Sequence, residues 1–240
     1  MTKEVEFLIE ICKSAAALIT DDFETTVKGD NDELVTTLDT AVEQFLIDAI
    51  KKEYPQCDIV SEEYNPTAQL TKNCFVIDPI DGTSNFAAGL PLWGIQVAYI
   101  ENGKTCAAVI FLPKLNEMYH ADKSGAYCNG KKIRVSDRPA GKCFYSMSVC
   151  GKNASWDGSI DLKGFRYLRR IGSSSVSLAW IASAHYGGYA TTYDTPWDYI
   201  PGYYIVEQAG GFTHDEPGCH VAANTKEFLD VLVKEIKGMK

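Results

Sequence analysis

The stretch FVIDPIDGTSNF, residues 75–86, places two aspartates three positions apart at the end of an apolar run. A proline lies between Asp78 and Asp81, where it restricts the backbone and donates no hydrogen bond. Gly82 then permits a positive φ and the close approach of a ligand, and the next two residues add hydroxyl groups. Carboxylates beside the free N–H groups of a helix start favour Mg²⁺ held between the protein and a phosphate.

An isolated pair of this kind also has an ordinary explanation, because Asp-Pro and Asp-Gly are common turn sequences. Acids in two further segments favour a binding site. Glu62 and Glu63 follow the short apolar segment DIV, and Asp198 follows Trp197 at the start of a predicted helix. Acids that end separate elements can converge on one cleft, so the sequence predicts a metal site there.

The elements that must position these acids are both helices and strands. Helical spacing of apolar residues predicts helices over 5–20, 37–54, 175–186, 197–211 and 226–239. Short segments rich in β-branched and aromatic residues predict strands at 58–63, 74–78, 94–100, 105–112, 117–121, 143–149 and 188–194. We also expect a hairpin around Asn129-Gly130 and an exposed loop over 28–33.

The mixture of strands and helices predicts an α/β or α+β fold built in layers. The polar stretch from Arg134 to Lys142 contains Pro139 and Gly141 and is typical of a boundary. We therefore expect two subdomains, residues 1–139 and 140–240, with the first supplying most of the acids and the second supplying Asp198.

Composition excludes several other classes of function. The net charge is -9, which argues against a nucleic-acid partner, because such binding depends on Lys and Arg. No apolar run is long enough for a membrane span, and the N-terminal segment is interrupted by acids, unlike a signal peptide. The eight cysteines form no CxxC pair, so we expect reduced thiols and a cytoplasmic protein.

Three segments resemble the signatures of the inositol monophosphatase family. They are SEE at 61–63, FVIDPIDGTSNF at 75–86 and PWDYIPGYYIVEQAGG at 196–211. KGDNDELVTTLD at 28–39 also resembles the lysine loop of that family and the segment after it. The resemblance extends over nearly the whole chain. It implies an αβαβα sandwich and a lithium-sensitive, Mg²⁺-dependent phosphatase, commonly a homodimer, that acts on a small phosphorylated metabolite.

The resemblance also implies the metal ligands, position by position. Glu62, Asp78 and the main-chain carbonyl of Ile80 would hold a first Mg²⁺. Asp78, Asp81 and Asp198 would hold a second, with Asp78 bridging the two ions. Glu62 would also help to hold a third, weaker ion through water.

Catalytic and substrate contacts follow from the same match. Asp39 would hydrogen-bond to Thr83, and this pair would orient and deprotonate the attacking water. The N–H groups of Gly82 and Thr83 would hold the phosphate, and Lys28 would approach the phosphate region. Substrate contacts are expected from Gly82, Thr83, Asp81, Thr191 and Asp198.

The choice of substrate stays open at this point. Inositol-specific members carry a glutamate seven residues before the last metal aspartate, where this chain has Thr191. Inositol monophosphate is the first candidate, and the alternatives are fructose-1,6-bisphosphatase, histidinol-phosphatase and 3′-phosphonucleotide phosphatase activities. The basic run Arg166, Arg169 and Arg170 is either a solvated surface or a contact for a second phosphate or a dimer partner.

Two function classes outside this family compete with the prediction. One is a phosphatase or transferase with an aspartate nucleophile, but its acids would follow a DxD pattern, and this chain has two residues between its aspartates. The other is a non-catalytic metal-binding or regulatory protein. The full set of acids, together with Asp39 and Thr83, argues against that class.

Overall fold

The computed structural model describes residues 1–28, 33–148, 167–193 and 195–238. Within these residues the backbone forms six α-helices and fourteen strands. The helices are α1 (Lys3–Ala16), α2 (Thr37–Glu53), α3 (Thr83–Ala87), α4 (Ser174–Ala182), α5 (Pro196–Gln208) and α6 (Lys226–Gly238).

The strands form a hairpin, a seven-stranded sheet and a five-stranded sheet. The hairpin pairs β1 (Thr25–Lys28) with β2 (Glu33–Thr36). The large sheet contains, in spatial order, β3 (Asp58–Ser61), β4 (Cys74–Asp81), β5 (Gly94–Glu101), β6 (Lys104–Leu112), β7 (Glu117–Asp122), β8 (Gly125–Cys128) and β9 (Lys131–Lys132). The small sheet consists of β10 (Phe144–Ser148), β11 (Leu168–Arg169), β12 (Tyr186–Thr191), β13 (Phe212–Glu216) and β14 (Cys219–Ala223), in the order β11-β10-β12-β14-β13.

Helices separate and cover the two sheets. Helices α1 and α2 pack on one face of the large sheet, and α5 packs on its other face beside α4. Helix α4 also packs on β12 of the small sheet, whose far face is covered by α6. The result is the predicted αβαβα sandwich. Because β4 has helices on both faces, it is buried along its whole length, which explains its nearly continuous apolar sequence.

The hairpin at Asn129-Gly130 is confirmed, with φ values of 48° and 76° that match a tight turn between twisted strands. Other predicted bounds were wrong. Helix α1 ends at Ala16 rather than at residue 20, because the N–H groups of Leu18 and Ile19 bond to carbonyls three residues back instead of four. Helix α4 ends at Ala182, where the next residues form a turn that leads into β12.

The hairpin of β13 and β14 was not predicted, and strands β1 and β2 flank a segment predicted as loop. The chain passes from the large sheet to the small sheet between Lys132, the end of β9, and Phe144, the start of β10. Helices α4 and α5 lie after this changeover but pack against the large sheet, so the division at 139–140 stays a prediction. Among the described helices, none is long and apolar enough to span a bilayer.

Asp122 joins the start of α1 to the end of β7. Its buried carboxylate accepts hydrogen bonds from the N–H of Thr2 at 2.8 Å and from the N–H of Ser124 at 2.8 Å. Burial opposes the charge, but the hydrogen bonds from Ser124 and Thr2 lower the pKa of Asp122 overall. The ionised carboxylate therefore stabilises the fold.

We expect Asp122→Ala to lower the free energy of unfolding by about 1–3 kcal/mol, because the N–H groups of Thr2 and Ser124 lose a charged, buried acceptor. Asp230→Ala is the control, since Asp230 forms an exposed pair with Lys226 and its loss should cost under about 0.5 kcal/mol. Since the folded pKa of Asp122 lies below the unfolded value, its contribution is present above that unfolded value and is lost in acid. Urea unfolding at neutral and acidic pH measures both effects, and equal stability of the two variants at neutral pH would contradict the assignment.

Candidate functional site

A β-bulge in β4 sets the direction of the two aspartates. Asp78 pairs with Gln96 of β5 and Asp81 pairs with Gly94, so three steps along β4 match two steps along β5. In a regular strand, side chains three residues apart point to opposite faces. The extra residue of the bulge, at the proline-containing segment, brings both carboxylates to one side. Oxygen atoms of Asp78, Asp81 and Asp198 lie within 4.8 Å of one another.

Asp198 reaches this cluster from the first turn of α5. Its Oδ2 accepts hydrogen bonds from the N–H of Thr195 at 2.8 Å and from the Thr195 hydroxyl at 2.6 Å, which caps the helix. The hydroxyl of Ser174 lies 2.8 Å from the main-chain carbonyl of Asp198 and 2.8 Å from Oδ1 of Asp81, so its single proton is shared between these two acceptors. The starts of α4 and α5 are therefore joined at the acid cluster.

Three consecutive serines at the start of α4 hold Asp81. The hydroxyl of Ser173 donates to its Oδ2, and Ser174 donates to Oδ1 through N–H at 3.1 Å and hydroxyl at 2.8 Å. Ser175 donates to Oδ2 through N–H at 2.8 Å and hydroxyl at 2.5 Å. The helix start also favours a negative charge at this end. Sequence reasoning missed these serines, although such a run before a helix is a capping signal.

Asp78 is the least satisfied member of the cluster. It is 1% exposed, and its Oδ2 accepts a hydrogen bond from Gln96 at 3.3 Å. Its Oδ1 is buried and has no hydrogen-bond partner among the described residues. Burial, followed by the charges of Glu62, Asp81 and Asp198, raises the pKa of Asp78 well above its usual range.

A buried carboxylate oxygen without a partner is costly unless it is paired or binds a metal. A divalent cation among these oxygens would supply the missing partner and cancel the repulsion. The donors are all oxygen atoms, the type that Mg²⁺ prefers, and a ligand carboxylate is commonly hydrogen-bonded by its surroundings, as Asp81 is. The residues present therefore fit a magnesium ion.

Glu62 faces the same cavity and is paired with Lys28. The ammonium of Lys28 lies 2.7 Å from Oε1 of Glu62 and 2.5 Å from Oε1 of Glu63. Burial raises the pKa of Glu62 to about 8 even though Lys28 acts in the opposite direction. For Lys28, burial lowers the pKa, but the two glutamates raise it overall, so the amine keeps its charge. Lys28 thus contacts an expected metal ligand, and its approach to a phosphate stays a prediction.

The expected hydrogen bond between Thr83 and Asp39 is present. The Thr83 hydroxyl lies 3.2 Å from Oδ1 of Asp39 and 3.0 Å from the carbonyl of Ile80, an expected metal ligand. The other oxygen of Asp39 accepts the N–H of Thr36 at 2.8 Å in the cap of α2. Burial raises the pKa of Asp39 although Thr36 opposes the shift. The roles of this pair in the reaction stay predictions.

The cluster opens onto a cavity of about 400 Å³ between the two sheets. One side consists of the acids and the turn after β4, where Gly82 has φ +90° and touches Ser173 and Gly172 so closely that a Cβ would not fit easily. The remaining lining comes mainly from the C-terminal part of the chain. The lining residues are Leu34, Glu62, Asp81, Gly82, Thr83, Ser84, Ser146, Met147, Ser148, Arg170, Gly172, Ser173, Ser174, Tyr189, Tyr193 and Asp198.

Of Thr191 and the described arginines of the basic run, Arg170 alone lines the cavity. Thr191 is fully buried outside the lining, and its hydroxyl bonds to the carbonyl of Tyr193 at 2.9 Å. Arg170 lines the cavity, whereas the guanidinium of Arg169 lies 4.7 Å from the ring of Phe144. Arg166 lies outside the described residues.

The sequence model of the inositol monophosphatase family matches residues 1–236 of the chain. The chain belongs to this family. The resemblance read from the three signatures is therefore confirmed, and membership places the inositol monophosphatase-like chain among phosphoric monoester hydrolases.

Relatives and a solved structure agree with this membership. A fructose-1,6-bisphosphatase/inositol-1-monophosphatase of Thermotoga maritima is 33% identical over 208 residues, which cover 82% of this chain and 77% of that protein. The Nus factor SuhB of Escherichia coli is 32% identical over 227 residues, covering 88% and 85%. The structure of an IMPase from Thermotoga maritima superposes with a TM-score of 0.82 at 26% identity and covers 100% of both chains.

We expect Asp78→Asn to stabilise the metal-free inositol monophosphatase-like fold. The amide removes a buried charge from a group of like charges and can donate to its neighbours. In EDTA the Tm should rise by roughly 2–4 °C for each kcal/mol of repulsion removed. Added Mg²⁺ should raise the Tm of the wild type and leave that of the variant nearly unchanged.

Differential scanning calorimetry measures these shifts, with the exposed Asp48→Asn of α2 as control. That control should keep both the Tm in EDTA and the response to Mg²⁺. A lower Tm for Asp78→Asn than for the wild type in EDTA would show that the carboxylates do not repel one another in this way.

Proposed function

We propose that this chain is a Mg²⁺-dependent phosphatase that hydrolyses a small phosphate monoester by direct attack of water. The observation that carries this proposal is the buried Oδ1 of Asp78, which has no hydrogen-bond partner among the residues described and lies in an acid cluster beside a polar cavity. A stable fold does not need such an arrangement, because a buried charge without a partner is destabilising. A divalent cation would supply the missing partner, and its use in a reaction on a phosphate ester would explain why the protein keeps this arrangement.

The metal ligands are proposed as the family match implies. Glu62, Asp78 and the carbonyl of Ile80 form one set, and Asp78, Asp81 and Asp198 form the other, for two or three ions in total. The clustering of the three aspartate carboxylates supports the second set. When bound, Mg²⁺ lowers the pKa of water and neutralises negative charge on the phosphoryl oxygens.

The chain's own groups would orient the reactants. Gly82 and Thr83 stand at the start of α3 on the cavity wall, and their N–H groups would hold phosphate oxygens. The Thr83 hydroxyl would accept a proton from the attacking water while it donates its own proton to Asp39. The raised pKa of Asp39 favours this direction of transfer, since a more basic carboxylate accepts a proton more readily.

Release of inorganic phosphate from a panel of esters, with and without Mg²⁺, tests the reaction class. Asp81→Asn should lower turnover by roughly 10²-fold or more, because the variant loses one ligand charge of the metal site. Asp230→Asn, an exposed acid on α6, is the matched control and should keep wild-type turnover. Turnover by Asp81→Asn near the wild-type rate would remove the metal assignment.

Phosphate release, together with a search for a covalent intermediate during turnover, separates the two rival classes. A phosphoaspartate trapped during turnover would replace the direct attack of water by a covalent mechanism. No phosphate release from any ester, with Mg²⁺ bound, would leave a regulatory metal-binding protein. Inhibition by millimolar lithium, a homodimer and a cytoplasmic location are further proposals from the family match, and the net charge of -9 supports the absence of a nucleic-acid partner.

Inositol monophosphate is the first proposed substrate, and one observation favours a second class. Arg170 is the cationic side chain among the described residues that line the cavity. The glutamate that would bind ring hydroxyls is replaced by Thr191, which is buried outside the lining. A cavity wall that presents a guanidinium and lacks the glutamate for ring hydroxyls favours a substrate with a second anionic group, which the guanidinium would bind. A sugar bisphosphate is such a substrate.

Arg170→Gln should lower kcat/KM for fructose 1,6-bisphosphate by about 10- to 100-fold, the loss expected for a hydrogen bond between charged groups. Its kcat/KM for inositol 1-phosphate should change less than about 3-fold. Arg169→Gln is the control, because Arg169 lies on Phe144 instead of lining the cavity. Steady-state kinetics with both esters decide the point, and equal losses for both would show that Arg170 does not read a second anion.

A further inference from the structure

A fully buried carboxylate on α2, that of Glu43, has no role in the site described so far. Its Oε1 accepts hydrogen bonds from the hydroxyl of Ser61 at 2.6 Å and from the N–H of Tyr64 at 2.7 Å. Its Oε2 accepts the N–H of Glu63 at 2.8 Å. All three donors belong to the segment 61–64, which begins at the last residue of β3 and contains Glu62.

The position of this charge is not explained by packing alone. Burial of a carboxylate is costly, and the buried residues Val42 and Leu46 beside it on α2 are apolar. Glu43 also lies close to Glu63, whose negative charge acts on it unfavourably. Three hydrogen bonds to one charged group offset these costs and fix the segment more firmly than neutral contacts would. Local conflicts of this kind are typical of functional sites.

Helix α2 thereby reaches two parts of the site. Asp39 and Glu43 are four residues apart, so they lie on the same face of the helix one turn from each other. Asp39 contacts Thr83, in the turn after β4, and Glu43 contacts the segment after β3. Asp81 is the last residue of β4, just before that turn, and Glu62 lies within the segment 61–64. One rigid helix therefore sets their relative position.

We propose that Glu43 is a positioning residue that holds the segment 61–64 so that the Glu62 carboxylate faces the acid cluster. The inference rests on the proposed metal function of Glu62. Groups that hold a ligand in place typically change metal affinity by about 10- to 100-fold when they are replaced. Glu43 thus sets the affinity for the divalent cation without touching it.

Glu43→Gln is the sharpest substitution. Glutamine keeps the size of the side chain, but one of its two terminal atoms becomes an NH₂ donor. That donor must then face a backbone N–H or the Ser61 hydroxyl, so at least one of the three hydrogen bonds is lost or reversed. Asp48→Asn, the same chemical change at an exposed position of α2, is the matched control.

Isothermal titration calorimetry with Mg²⁺ alone, without substrate, measures the effect directly. We expect the Kd for Mg²⁺ to rise about 10- to 100-fold in Glu43→Gln and to change less than about 2-fold in Asp48→Asn. In phosphate-release assays, the Mg²⁺ concentration for half-maximal rate should rise by the same factor. At saturating Mg²⁺ the kcat of Glu43→Gln should return to within about 3-fold of wild type, since no catalytic group is lost.

Ser61→Ala provides a second, milder test that applies even if Glu43→Gln does not fold. It removes one of the three donors and should weaken Mg²⁺ binding about 3- to 10-fold. Lower thermal stability with an unchanged Kd for Mg²⁺ in these variants would show a purely structural role and overturn the inference. Asp81→Asn is the reference for the proposed function. If the wild type itself binds no Mg²⁺, the proposed function fails. If the wild type binds Mg²⁺, Asp81→Asn binds it more weakly, and the Glu43 and Ser61 variants bind it with the wild-type Kd, the inference alone fails.

Discussion

Repulsion among carboxylates that lie close together and are largely buried is the constraint that the surrounding structure has to meet. Burial raises the pKa of Asp78, and the negative charges of Glu62, Asp81 and Asp198 raise it further. The protein reduces this cost with donors on Asp81, with the amide of Gln96 on Asp78 and with the ammonium of Lys28 on Glu62. One oxygen of Asp78 has no hydrogen-bond donor in the part of the chain that the structure describes, and this oxygen is free to bind a cation.

Three helix starts meet this constraint together. The first turns of α2 and α5 carry Asp39 and Asp198 in their caps, and the start of α4 donates N–H groups to Asp81. The positive end of each helix favours the nearby negative charge. The middle helical layer is therefore more than a spacer between the sheets, because it brings the starts of α4 and α5 against the end of β4.

Local patterns predicted most of the elements and failed at particular ends. The run after Gly172 predicted α4, but the helix ends four residues early, in a turn where Ala184 takes φ 66°. The N–H of His185 bonds to the carbonyl of Trp180 and that of Ala184 bonds to Ile181, which is the hydrogen-bond pattern of a Schellman motif. In the sequence this motif is normally recognised by a glycine at the position with positive φ, and here that position is Ala184. Strand β13 was missed because FTHDE is mostly polar on an edge strand, and its hairpin partner β14 was missed with it.

The sequence by itself determined which acids are present, the order in which they follow their strands and helices, and the family. Tertiary structure decided how those acids face one another. The bulge between Asp78 and Asp81 reverses the side-chain alternation, and such a one-residue shift depends on pairing with β5, which no local pattern encodes. Contacts across many residues likewise brought the α4 serines to Asp81 and Glu43 to the segment after β3. These contacts form only when distant segments pack together. The residue types therefore predicted which side chains the site contains, and tertiary packing determined how they are arranged.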